Sequence, residues 1–133
     1  MKASLLLPLL FAAPAAIAGP YDQPWSIITS DRTPSADYKL LPVIVNRVDE
    51  VNADTRLNQS VVEPGTHQVT IDVPPRKGFP ASQHTFPLAT EPCTRYYVGA
   101  QLKTTTGQEW APVVRSKERI GECESKFASR GVR

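Results

Sequence analysis

Histidine, cysteine and carboxylate side chains are where metal, nucleophilic or acid–base chemistry would have to reside. The 133-residue chain has two His, two Cys and 13 Asp plus Glu. His is the commonest neutral metal ligand, so His67 and His84 are the first pair to consider. Each lies on a run with two-residue apolar alternation, Thr66 to Val73 and His84 to Ala89. Pairing these runs antiparallel about their loop sets His84 opposite Val73 and leaves His67 six steps, roughly 20 Å, away. They cannot share an ion, and His67 is expected to cap the end of a buried face; no metal and no cofactor is expected. A hydrolase would need a Ser or Cys nucleophile beside a His and a carboxylate. No Gly-x-Ser-x-Gly elbow marks such a nucleophile. The carboxylates Asp49-Glu50, and Glu122 with Glu124, fall in apparent turns beside Arg47 and Lys126, where solvated charge is the expectation. No catalytic residue is assigned, and the chain is read as a non-enzyme.

Cys93 and Cys123 belong to no Cys-x-x-Cys pair and have no His close in sequence, which argues against redox and zinc roles. An even cysteine count in an exported chain points instead to one structural disulfide. Closing a 30-residue separation would stabilise the fold by about 3 to 4 kcal/mol. Four aromatic residues are large enough to stack on a sugar ring or a partner's side chain: Trp25, Tyr96, Tyr97 and Trp110. Tyr96 and Trp110 fall at inward parity on predicted strands. Trp25 and Tyr97 therefore remain as the aromatic part of a candidate binding surface, and the basic loop Arg76-Lys77-Gly78 adds an anionic contact point.

The elements that must position these residues follow an apparent leader. Lys2, the apolar Leu5 to Phe11 and the small-x-small Ala16-Ile17-Ala18 have the order of a secretory signal peptide, with cleavage expected after Ala18. A membrane anchor would need roughly 20 apolar residues, and this run ends at Gly19-Pro20. No later run could cross a bilayer, so the protein is expected to be exported, periplasmic or secreted. The formal net charge of +2 gives no nucleic-acid footprint. After residue 18 there are 28 Val, Ile and Thr against 12 Ala, Leu and Met, which favours short strands over helices.

Strands are predicted at Trp25 to Thr29 and at Leu41 to Val48, with Pro42 near the start of the second. Asp49 to Gln59 reads as turn and loop, and Pro64-Gly65 as a type II turn ahead of Thr66. His67, Val69, Ile71 and Val73 then alternate with Gln68, Thr70 and Asp72. His84, Phe86 and Leu88 alternate with Thr85, Pro87 and Ala89. Tyr96, Val98, Ala100 and Leu102 form the inward set of the next strand, and Glu109 to Val114 is the last one. Pro87 implies an edge strand or a strand broken by a bulge, and Pro112 an exposed edge or a distortion. Arg115 to Gly121 is expected as a helical turn or an extended return that brings Cys123 to Cys93. These signals give an all-β fold, a single small β-sandwich of the immunoglobulin or transthyretin kind with one disulfide. Its domains would be a signal peptide over 1–18, the sandwich over 19–124 and a flexible tail over 125–133 in which Phe127 alone touches the body.

The segment Val43 to Asp49, followed by Val61-Val62-Glu63-Pro64-Gly65-Thr66-His67-Gln68-Val69-Thr70-Ile71, resembles the pattern of PEGA-like surface β-domains over about 30 residues, with Glu50 where that pattern has glycine. Pro92 to Val98, Trp110 to Val114 and Glu118 to Cys123 are similar to small exported proteobacterial proteins. The resemblance implies a periplasmic β-sandwich and supplies no catalytic residues. The expected function is that of an exported binding or envelope-associated module whose partner is an envelope protein or a glycan. The alternatives are a small secreted inhibitor or carbohydrate binder presenting the Pro75 to Gln83 loop or exposed aromatics, and a hydrolase.

Overall fold

The computed structural model describes residues 19–30 and 39–128. The leader assigned to 1–18 and the end of the expected tail, 129–133, lie outside the described residues. The described chain forms nine strands and one helix: β1 (Ser26–Thr29), β2 (Leu40–Leu41), β3 (Ile44–Val48), β4 (Val51–Asn52), β5 (Gln59–Val62), β6 (Gly65–Val73), β7 (Ser82–Thr90), β8 (Thr94–Leu102), β9 (Trp110–Arg119) and α1 (Gly121–Ala128). Two sheets pack face to face as a β-sandwich. In the first, β8 pairs along its length with β9 on one side. On its other side β8 pairs with β1, in parallel, and with β2, and β1 in turn carries β5. The second sheet runs β4-β3-β6-β7.

Alternation explains the long strands. Val69, Ile71 and Val73 from β6 meet Tyr96, Val98, Ala100 and Leu102 from β8 in one core. The prolines fall where a missing N–H does no harm: Pro87 lies on the edge strand β7 and Pro112 on the edge strand β9. The predicted strand Leu41 to Val48 is in fact two. The chain leaves the first sheet at Pro42, which has no ladder donor to give, and enters the second at Ile44. A register shift between Val45 and Arg47 then lets Val45 and Val48 both face the core and leaves Ile44 exposed. The stretch expected as loop over Asp49 to Gln59 contains β4 and the start of β5, and the Pro64-Gly65 turn carries the chain from β5 in one sheet to β6 in the other.

Cys93 and Cys123 form the expected disulfide. Its second cysteine sits on α1, an element the sequence reading placed at most as a turn before residue 121. Phe127 is buried as expected, and the helix continues the body past Glu124 to Ala128. Ile120, Cys123 and Phe127 recur at helical spacing and pack with Trp25, Ile27 and Cys93 as a second apolar cluster. Adjacent residues of β1 thereby reach different layers: Ile28 belongs to the inter-sheet core and Ile27 to the cluster under the helix.

Candidate functional site

The surface expected from Trp25, Tyr97, Arg76 and Lys77 does not assemble. Trp25 is 5% exposed; Tyr21 stacks edge-on at 5.0 Å and Phe127 at 6.1 Å, because the unforeseen helix covers it. Tyr97 is half-buried, and its hydroxyl donates to Glu118 Oε1 at 2.7 Å, the same oxygen that Arg95 Nη1 reaches at 2.6 Å. Burial and that bond together raise the Tyr97 pKa. Arg76 and Lys77 occupy a tight turn beyond β6, where Arg76 stacks on Phe79 at 5.0 Å. That turn follows the Val73 end of β6, whereas Trp25 lies beside the strand ends where β5 stops and β8 starts.

The two histidines are separate, with a register two residues from the expected one: His84 lies opposite Ile71 and Val73 opposite Ser82. His67 stands opposite Leu88, four positions along β7 from His84 and about 13 Å away at strand rise. His84 packs on Trp110 with ring centroids 4.2 Å apart, and Trp110 Nε1 donates to Ser82 Oγ at 2.7 Å. These contacts close the side of the sandwich where edge strands β7 and β9 approach.

His67 is built into a clip at the other side. The β3–β4 hairpin turns on Asp49 and Glu50, both at positive φ (50° and 69°), as a two-residue type I′ turn requires. Register then brings Asp49 beside β6. Its Oδ1 accepts the Gln68 N–H at 2.7 Å and its Oδ2 accepts from His67 Nδ1. The other ring nitrogen, Nε2, donates to the Glu63 carbonyl at 2.6 Å. A carbonyl and a carboxylate can only accept, so both nitrogens carry protons and His67 is an imidazolium. Burial opposes that charge, but the bonds to Asp49 and the Glu63 carbonyl prevail and raise the pKa above its ordinary 6.5. The hydrogen bond from His67, followed by that from the Gln68 N–H, lowers the Asp49 carboxyl. With no nitrogen lone pair free, His67 is neither a general base nor a metal ligand in this state.

The clip forms one end of a groove of about 420 Å³ where β4 and β5, the adjoining edges of the two sheets, diverge. Five large apolar side chains are strongly exposed among the described residues, and three of them, Tyr21, Val51 and Leu57, line this groove. Among the described residues that line it, the charged ones are Asp49, Asp54 and Glu63 against His67, with no Lys or Arg. Asn58, at a φ of 52°, braces the loop beneath: its amide accepts the Val45 N–H at 2.8 Å and donates to the Val43 carbonyl at 3.1 Å. Sequence reading noted Asp49 and His67 only as a turn charge and a strand-end cap. Their meeting depends on the β3–β6 register across 18 residues, which no local pattern reveals.

Comparison with models of protein families, with curated proteins and with solved structures gives no match to this chain. Among the described residues, no helix is long and apolar enough to cross a membrane.

Proposed function

We propose that this protein is an exported, non-enzymatic binding module associated with the cell envelope, and that it holds its partner in the groove between β4 and β5. The observation that carries the reading is the groove itself, which gathers three of the five strongly exposed apolar side chains among the described residues and spends His67 on structural bonds. Scattered exposed apolar residues are ordinary, whereas a concave group of them is typical of a contact surface. Export is supported by the leader pattern ahead of Gly19 and by a disulfide that suits an oxidising compartment.

The test is a photo-crosslinking side chain at Leu57 in the full chain expressed in its native host, with the same group at Val114, an exposed residue of β9 outside the groove, as control. A discrete crosslinked species from Leu57 and none from Val114, in a fraction where the intact mass begins at Gly19 and shows the thiols joined, is the expected result. A cytosolic chain of full length with free thiols would refute the export reading. Equal labelling from both positions would refute the groove.

A further inference from the structure

The backbone along the groove is as informative as its side chains. Asp54 and Gln59 join the two sheet edges through reciprocal bonds, Asp54 N–H to the Gln59 carbonyl at 2.8 Å and Gln59 N–H to the Asp54 carbonyl at 3.3 Å. Antiparallel pairing that continued from this bridge would next bond Asn52 to Val61. It does not continue, for the bridge is isolated. Alternation nevertheless fixes where the two residues aim their peptide groups. The Trp25 carbonyl accepts from Cys93, so Ser26 and Ile28 face β5, Val62 and Ser60 answer them, and Val61 turns its N–H and C=O away from β1. Likewise Val51 closes the hairpin against Val48, and Ala53 donates to Asn46, which turns the Asn52 groups away from β3. Asn52 and Val61 thus present one donor and one acceptor each toward the cleft, like two sides of a ladder with the rung between them missing.

We infer that the groove takes an extended polypeptide segment as an added strand between β4 and β5, and that the segment alternates apolar with basic side chains. This rests on the binding reading above and names the class of partner. An extended segment meets the peptide groups of Asn52 on one side and Val61 on the other, the main-chain recognition used wherever a peptide adds to a sheet edge. Its inward side chains face Val48 and Val62, which belong to or pack on the inter-sheet core. Its outward side chains meet a rim with three carboxylates and one imidazolium. Asp49 is already neutralised by His67; Asp54 accepts the Arg56 and Leu57 N–H groups on Oδ1 and Glu63 accepts from Gln23 Nε2 at 3.3 Å, neutral donors that leave the negative charge of both carboxylates for the partner's cations. Arg56 lies in the same loop but does not line the groove. The matching recess at the opposite side of the sandwich, near His84, is bridged by Trp110 and Ser82 and contains its own Lys103–Glu109 ion pair at 3.1 Å, so it offers no comparable vacancy in the ladder.

The experiment titrates the folded, disulfide-bonded protein with a short capped peptide alternating Lys and Val. A Glu-for-Lys analogue and a Lys–Val analogue N-methylated at alternate peptide bonds serve as controls, followed by nuclear magnetic resonance of the backbone amides. The expected result is that the Lys–Val peptide shifts the Asn52 and Val61 amides and slows their exchange with solvent, and that it binds at least about tenfold tighter than either control. Val61→Pro removes a donor aimed away from β1 and so spares the β1–β5 ladder; it also alters the Val61 packing under α1, so an unchanged fold is verified by its spectrum, and it should weaken the peptide by about tenfold. Binding that survives Val61→Pro and N-methylation but falls in Glu63→Lys would be mere charge attraction and would overturn strand addition. Equal binding of the Lys and Glu peptides would overturn the basic partner. If no peptide binds while Leu57 still crosslinks to a discrete species, the strand partner is refuted and the binding module is not.

Discussion

Replacing His67 with Gln probes the clip and its ionisation together. Two bonds are at stake, one to the Glu63 carbonyl and one to the Asp49 carboxylate. Both come from the imidazolium and are charge-assisted, worth about 1.5 to 3 kcal/mol when buried, and Gln can keep one neutral bond worth about 1. The Asp49 side chain is 47% exposed, so water replaces much of what is lost there, and about 1 kcal/mol is the appropriate figure for that bond. His67→Gln should therefore cost about 1.5 to 3 kcal/mol at pH 5.5. The pH dependence has a definite sign. The raised His67 pKa means that its contribution is fully present below the unfolded value of 6.5 and is lost as pH rises through the folded value. The lowered Asp49 pKa means that its contribution is present above 3.8 and is lost as pH falls through the folded value. The clip is thus strongest between those two limits. Urea unfolding of wild type and His67→Gln at pH 5.5 and pH 9 measures it, and the gap between the two proteins should narrow at pH 9. An equal gap at both pH values, or a His67 titration midpoint below 6.5, would refute the imidazolium assignment.

Converting both Cys93 and Cys123 to Ser should lower stability by about 3 to 4 kcal/mol, read by thermal unfolding; the amides of α1 should lose exchange protection before those of β6 and β8. Asn58→Ala should cost about 2 to 4 kcal/mol in the same assay, because the Val45 N–H and Val43 carbonyl lose their partner inside the protein and alanine is strained at a φ of 52°. Glu50→Gly should raise stability by about 0.5 to 1 kcal/mol, since glycine adopts a φ of 69° without strain, and a lower midpoint would contradict the turn assignment.

The fold was legible where one physical demand governed a whole segment. Strands β6 to β8 each have one face on the core, so period two stands out in their sequences, and Pro87 and Pro112 had to fall where no ladder donor is missed, at an edge or a bulge. The disulfide was legible because two cysteines admit one pairing. Strand β5 was not, because Val62 faces the core while Val61 packs under α1, which leaves four half-buried residues and no alternation. The helix escaped because eight mostly polar residues carry its pattern on Cys123 and Phe127 alone. Trp25 was consequently assigned to the surface: a residue just ahead of β1 is exposed unless something covers the outer face of that sheet. The groove was beyond local reading altogether, since its walls come from two sheets and its most telling feature is pairing that stops after one bridge.

The cover over Trp25 and Ile27 follows all nine strands in the chain. During synthesis from the N-terminus, every strand can therefore be present while that greasy patch is still bare, and any product broken off before Gly121 keeps it bare permanently. Such fragments would be adhesive and readily attacked by proteases, whereas chains that extend through Ala128 bury the patch and lock it shut. Closure of this outer patch therefore rests on the last described element of the fold and not on any strand.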